Sequence, residues 1–232
     1  MTRITGVLFD SGGTLARPLA GGWWPKPRFA ELVTAAGLRA PDEGRLADVY
    51  AGVAEHMGEP LRTLDEELVA YTAFYAVTLD ELYDSYPVTL PDALARAAVY
   101  DLDQEPYEDA VPTLDRLVAA GLQLGVVSNA APSIEMRHRE MGLRDYFDPF
   151  VVSSVVGLAK PDREIYEIAL AALARRAEEV AFVDDVPENV TAAGSLGMAG
   201  CVIDRDGAML TNLPAIRSLN ELVDVLGLEP AR

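Results

Sequence analysis

The stretch VLFDSGGTLARP, residues 7–18, places a carboxylate, Asp10, at the end of an apolar run and follows it with two glycines, Gly12 and Gly13. A short continuous apolar run, here residues 4–9, reads as a strand buried on both faces. A polar residue just past such a strand stands at the carboxyl edge of the sheet, where open α/β sheets bind their ligands. The pattern recurs at residues 122–127, 150–152, 180–183 and 201–203, with helical periodicity at 112–120, 163–176 and 188–196 between the later runs. Strand and helix alternate, which predicts an α/β fold: a doubly wound parallel sheet.

From about residue 17 to 103 the alternation stops. Leu64, Leu68, Tyr71, Tyr75, Leu79 and Leu82 recur at helical spacing and trace one apolar face of a long helix. Further helices are expected over 27–36, 45–55 and 91–99, separated by Gly, Pro and Asp. The expected organisation is therefore a core built from residues 1–16 and 104–232, with an α-helical insertion over 17–103. A chain of 232 residues is long enough for one domain carrying such an inserted partner.

Nineteen basic residues stand against 37 acidic ones, a formal charge of −18. That balance argues against nucleic acid or an anionic membrane as a partner and leaves a small anionic substrate dependent on a local positive site. The single cysteine, Cys201, permits no internal disulfide and suits a reducing cytosol. The sequence has no charged leader before a long apolar stretch and no run long enough to span a bilayer, so a cytoplasmic location is expected. Oligomeric state is not legible.

Four stretches carry the chemistry: Asp10-Ser11-Gly12-Gly13-Thr14, Ser128-Asn129, Lys160-Pro161-Asp162 and Asp184-Asp185. Three follow strand-like runs directly. Lys160 follows a loop and opens a helix, from which a long side chain can reach back over the sheet edge. A carboxylate in an open site can attack an electrophile and form a covalent intermediate, which makes Asp10 the candidate nucleophile. Attack on a phosphate sets two anions against each other, and a hard cation relieves the repulsion; Asp10 and Asp185 offer oxygens suited to Mg²⁺. Lys160 supplies a second positive charge. Hydroxyl and backbone N–H donors of Ser128, Asn129 and the turn at Gly13 and Thr14 can hold the remaining phosphoryl oxygens.

These residues, in this order, resemble the haloacid dehalogenase superfamily, and the resemblance covers nearly the whole chain. FVDDVPENVTAAGSLGM, residues 182–198, is especially similar to the family's fourth motif. The resemblance implies a hydrolase core with a helical cap inserted after the first motif. It makes Asp10 the nucleophile, Gly12 the residue whose carbonyl ligates Mg²⁺, Ser128 the phosphate-binding hydroxyl and Lys160 the charge-neutralising lysine. Asp185 aligns with the principal metal ligand, while Asp184 acts through water or orients Lys160. Phosphatases of the family usually carry a second aspartate two residues after the nucleophile, as the acid and base of the reaction. Gly12 stands there and cannot move a proton. Dehalogenases of the family carry tyrosine at that position, and phosphonate hydrolases a small residue plus a cap lysine. The leading expectation is an Mg²⁺-dependent phosphatase of a small metabolite; 2-haloacid dehalogenation, phosphonate cleavage and a binding protein with an attenuated site are the alternatives.

In GGWWPKPR, residues 21–28, Trp23, Trp24, Lys26 and Arg28 read either as a substrate-facing wall or as a proline-rich lead-in to the first cap helix, and the second is preferred. His56 and His138 lie in charged helical stretches and are expected to be solvated. Cys201 is expected to be a small buried hydrophobe.

Overall fold

The computed structural model describes residues 3–19, 23, 26, 28–53, 61–209 and 211–227. In chain order its strands and helices are β1 (Gly6–Phe9), β2 (Ala16–Pro18), α1 (Phe29–Ala35), α2 (Glu43–Val53), α3 (Leu64–Leu82), α4 (Leu90–Tyr100), β3 (Gln104–Pro106), α5 (Ala110–Ala119), β4 (Gln123–Ser128), α6 (Ser133–Glu140), β5 (Phe150–Val152), α7 (Ser153–Val156), α8 (Arg163–Leu173), β6 (Val180–Asp184), α9 (Pro187–Ser195), β7 (Ala199–Ile203), β8 (Ala215–Ile216) and α10 (Leu222–Val225). The chain divides into two compact units: residues 1–17, 105–130 and 134–232, and residues 18–104 with 131–133.

The first unit is a six-stranded sheet in the order β5-β4-β1-β6-β7-β8, and every pairing is parallel. The middles of its strands are apolar because both faces are covered. Val7 and Phe9 of β1 pack on one face with Val126, Val183 and the α5 residues Leu114 and Leu117. Leu8, the residue between them, points to the other face, with Phe182 and the α8 residues Ile165, Tyr166 and Ala169. The alternation follows from the two-residue period of a strand, and it produces the doubly wound α/β architecture. Central β1 pairs with both β4 and β6, with Phe9 opposite Val126 and Val183. Because the strands are parallel, Asp10, Ser128 and Asp184 emerge at one edge.

The expected helix over 163–176 stops at Leu173. Ala174 turns into the left-handed region at φ 51°, and the Arg175 N–H closes back on the Leu170 carbonyl. That geometry terminates a helix.

The second unit has its own core, formed by Phe29, Val33, Leu46, Tyr50, Tyr71, Phe74, Tyr75, Leu79, Leu90, Leu94, Ala98 and Val99. The long helix α3 starts at a reciprocal cap. The Thr63 hydroxyl accepts from the Glu66 N–H at 3.2 Å, and the Glu66 carboxylate accepts from the Thr63 N–H at 3.0 Å. Its Tyr71, Tyr75, Leu79 and Leu82 are buried at the expected helical spacing. The expected helices over 27–36 and 45–55 are seen as α1 and α2; residues 27, 54 and 55 lie outside the described residues. Lys26 pairs with Asp103, and Arg28 with Asp101 at 2.8 Å and Glu31 at 3.0 Å. These cations are matched by acids of their own unit, which fits a lead-in to the helical unit better than an anion-facing wall. Trp23 is exposed, and Trp24 lies outside the described residues. Among the described residues no helix is long and apolar enough to cross a membrane.

Candidate active site

Lys160 is the centre of the arrangement. Its ammonium donates to Asp10 Oδ1 and to Asp184 Oδ2, both at 2.6 Å, and its side chain is 1% exposed. The lysine is brought there by its backbone. The Asn129 side-chain amide donates to the Lys160 carbonyl, and its oxygen accepts from the Lys160 N–H, each at 2.8 Å. Asn129, one residue past β4, thus holds the Lys160 backbone with one amide N–H and its oxygen, leaving its second amide N–H and its backbone N–H for the substrate role expected of it. Ser128, the last residue of β4, is buried at the same sheet edge.

Asp184 ends β6 and is fully buried. Its Oδ2 also accepts from Asn189 Nδ2 at 3.0 Å, and its Oδ1 accepts from the Val186 N–H at 2.8 Å. With both oxygens engaged, Asp184 is built to hold Lys160 and the start of α9. Asp185 is only partly buried. Carboxylate oxygens of Asp10, Asp184 and Asp185 lie within 4.8 Å of one another. Three all-oxygen donors so close match the preference of a hard divalent cation, so the side chains present fit Mg²⁺.

The turn after Asp10 explains its two glycines differently. Gly13 is in the left-handed region at φ +81°, and a Cβ there would stand 2.2 Å from Asp185 Oδ2. The Asp185 carboxylate therefore rests against the bare Cα of Gly13, and any side chain would push it away. The Gly13 N–H donates to the Ala16 carbonyl at 2.9 Å. Thr14 is fully buried, and its hydroxyl has no hydrogen-bond partner. Gly13 and Thr14, expected as substrate contacts, lie in the turn after the nucleophile, where the Gly13 N–H is engaged by Ala16. Gly12, partly buried, forms a bridge with Ala16.

Electrostatics separate the acids. Burial pushes the Asp10 carboxyl up, to about 7; Lys160 opposes this, and Asp184 and Asp185 add to it. Burial and then Asp184 push Asp185 to about 6. For Lys160, burial favours the neutral amine, but Asp10 and Asp184 outweigh it and hold the ammonium charged. One ammonium faces three carboxylates, and the excess negative charge is what a divalent cation would offset.

His138 overturns the expectation of a solvated side chain. It is fully buried on α6, with its Nε2 3.3 Å from the Ser11 hydroxyl, between Asp10 and Gly12. The charged sequence around it hid this: Arg139 and Glu140, directly after it on the same helix, are exposed. Burial, with Arg144 nearby, lowers its pKa from 6.5 to about 4, so the neutral imidazole is the folded form. The folded value is depressed, so the stabilisation is complete above pH 6.5 and is lost progressively as pH falls to about 4. At 1.36 kcal/mol per unit the gap amounts to about 3 kcal/mol. Denaturant unfolding at pH 7 and pH 4.5 should show this loss in the wild type relative to His138→Gln; equal pH dependence in the two proteins would remove His138 as its source. His56 lies outside the described residues. Cys201 is buried, and burial pushes its thiol up to about 11.

Residues 4–197 match the family model of haloacid dehalogenase-like hydrolases. The chain is 34% identical over 119 residues to an (S)-2-haloacid dehalogenase of Pseudomonas sp. (strain YL), covering 50% of this chain and 51% of that protein. It is 31% identical over 129 residues to a glyceraldehyde 3-phosphate phosphatase of Methanocaldococcus jannaschii, covering 52% and 56%. Each alignment thus spans about half the relative's length. A crystal structure of a phosphatase of the same superfamily from Thermococcus onnurineus superposes with a TM-score of 0.68 at 24% identity, over 98% of this chain and 100% of that one, a likeness of fold.

Proposed function

The chain belongs to the haloacid dehalogenase-like hydrolases, and we propose that within this family it is a cytoplasmic, Mg²⁺-dependent phosphatase of a small phosphorylated metabolite. The observation that carries the reading is the trio Asp10, Asp184 and Asp185 within 4.8 Å of one another, with only the first two paired to the ammonium of Lys160. Displacement of halide from a neutral carbon needs no such surplus of carboxylates, whereas transfer of an anionic phosphoryl group needs a cation, and the trio would bind one. Asp10 and Asp185, with the Gly12 carbonyl, would hold Mg²⁺, which when bound supplies the positive charge that lets an anionic nucleophile approach an anionic phosphoryl group.

This chain's own residues do the rest. A carboxylate oxygen of Asp10 forms a bond to phosphorus as the bond to the ester oxygen breaks, giving an aspartyl phosphate and an alcohol. Lys160 opposes the rise that burial imposes on the Asp10 carboxyl and aims it, and its charge offsets that of the transferring group. Ser128 is the hydroxyl assigned to a phosphoryl oxygen. Water then cleaves the aspartyl phosphate, releasing inorganic phosphate and restoring Asp10. Gly12 offers no proton to the leaving oxygen and no base to the water, so both steps draw on solvent or on the substrate itself. The helical unit is the cap of this reading.

A second reading, in which Asp10 displaces halide from a 2-haloacid and the resulting ester is hydrolysed, is supported by the likeness to an (S)-2-haloacid dehalogenase. A screen of metabolite phosphates with Mg²⁺ or with EDTA, run beside chloride release from (S)-2-chloropropionate, separates the two. Phosphate release that needs Mg²⁺ supports the phosphatase. Chloride release indifferent to EDTA replaces it with the dehalogenase, and neither product overturns both.

The two neighbouring acids should behave differently when removed. Asp185→Ala is expected to weaken Mg²⁺ binding, read by calorimetric titration, while leaving the unfolding midpoint near that of the wild type. Asp184→Ala leaves the buried Lys160 with Asp10 alone and strips partners from Asn189 and the Val186 N–H, so it should destabilise by roughly 3 kcal/mol. The reverse pattern would exchange the two roles.

A further inference from the structure

Past the end of β7, in a loop that carries none of the four motifs, Arg205 reaches three separate parts of the first unit. Its Nε donates to the Gly13 carbonyl at 3.3 Å, and one terminal nitrogen donates to the Thr14 carbonyl at 2.5 Å. The other terminal nitrogen donates to Asp109 Oδ2 at 3.0 Å. Its guanidinium carbon lies 3.5 Å from the centre of the Tyr107 ring. The Arg205 side chain is 16% exposed and that of Asp109 11% exposed, so this is an enclosed arrangement rather than a surface ion pair.

The partners of Arg205 are themselves tied down. Asp109 Oδ2 also accepts from the Ser218 hydroxyl at 2.6 Å and from the Leu219 N–H at 2.9 Å. The Tyr107 N–H donates to the Leu15 carbonyl at 3.0 Å, so Tyr107 is fastened to the same turn that Arg205 grips. A planar fork with several N–H donors can meet two carbonyls and a carboxylate while stacking on a ring; a lysine ammonium has neither the shape nor the reach.

We infer that Arg205 is a positioning residue for catalysis: it fixes the turn after the nucleophile by its two carbonyls and so sets where Gly13, and the Asp185 carboxylate resting on it, stand relative to Asp10. Without Arg205 the carbonyls of Gly13 and Thr14 lose their donor, and the turn is free to relax between the nucleophile and the residues that follow. The catalytic consequence rests on the phosphatase reading above, whereas the structural one does not.

The test uses the full chain in four forms: wild type, Arg205→Ala, Arg205→Lys and, as control, Arg17→Ala. Arg17 lies 5.6 Å from the Tyr107 ring and pairs with Glu105, but it holds neither turn carbonyl. Two readouts are taken. The first is amide hydrogen exchange at Leu15 and Ala16, whose N–H groups both donate to the Ser11 carbonyl, at 2.8 and 3.0 Å. The second is kcat and KM for p-nitrophenyl phosphate. Arg205→Ala should speed exchange at these two amides by at least about 10-fold, and it should lower kcat by about 10²-fold with KM changed by less than about 3-fold, the scale of a nucleophile displaced by about 1 Å. Arg205→Lys should recover little of either, and Arg17→Ala should match the wild type in both.

Unchanged exchange at Leu15 and Ala16 in Arg205→Ala overturns the inference, even if the unfolding midpoint falls. Full recovery by Arg205→Lys overturns it too, since charge alone would then suffice. Should Arg205→Ala fail to fold, Arg205→Lys against wild type decides by the same two readouts. If the wild type hydrolyses no phosphate ester, the phosphatase reading fails on its own, and the exchange comparison still decides whether Arg205 holds the turn.

Discussion

Asp10→Asn is expected to fold and to lose essentially all turnover, at least about 10³-fold in kcat, because an amide is a poor nucleophile and no other group in the site takes over covalent attack. Folding should survive for an electrostatic reason. Asp10 is buried and its carboxyl is pushed up to about 7, so its charge is costly to the folded protein. Replacing it with a neutral amide of the same shape removes that cost, and Lys160 keeps its bond to Asp184. Steady-state kinetics and thermal unfolding of the same preparation check both halves. A variant that retains more than a tenth of wild-type kcat removes Asp10 from the covalent role, and one that unfolds well below the wild type contradicts the charge argument.

Gly12→Asp is expected to raise the hydrolysis of alkyl phosphates, whose leaving oxygens need a proton, more than that of activated aryl phosphates, which leave without one. A well-placed proton donor contributes about 10²- to 10⁴-fold, so a carboxylate held even imperfectly should give a measurable gain. The left-handed backbone and the close approach to Asp185 both belong to Gly13, so the residue that must stay bare is the neighbour. The measurement compares kcat/KM for an alkyl and an aryl phosphate in the wild type and the variant, alongside Mg²⁺ titration and thermal unfolding. A folded variant that binds Mg²⁺ normally and gains on neither ester shows that proton transfer is not what Gly12 withholds, and it shifts weight to halide displacement.

The sheet, the helical unit and most of the residues at the sheet edge were legible in the chain because they depend on local regularities. An apolar run between polar boundaries makes a buried strand wherever helices can cover it, and the spacing from Leu64 to Leu82 makes a helix whatever it packs against. An acid at the end of such a strand has only the carboxyl edge to occupy, which is why Asp10 and Asp184 could be assigned together while lying 174 positions apart. Lys160 was legible as a long side chain opening a helix that can reach back over the sheet edge, and the family pattern gave it the charge-neutralising role.

Other features depend on pairings between distant segments, which a linear pattern does not encode. Asn129 read as a phosphate contact; that its amide also clasps the Lys160 backbone, 31 positions away, is seen only in the fold. His138 sits in a stretch dense with Glu and Arg, yet the packing of α6 turns it inward against Phe147 and Phe150 and toward Ser11. Arg205 carries no sequence signal of its own, and becomes the donor to Gly13 and Thr14 only because the end of β7 comes beside the turn that follows β1. Composition and periodicity specify which residues are buried and in what kind of element. Which polar groups meet is settled by the order of strands in the sheet and by the desolvation that obliges each buried donor to find an acceptor, and both arise only when the chain has closed on itself.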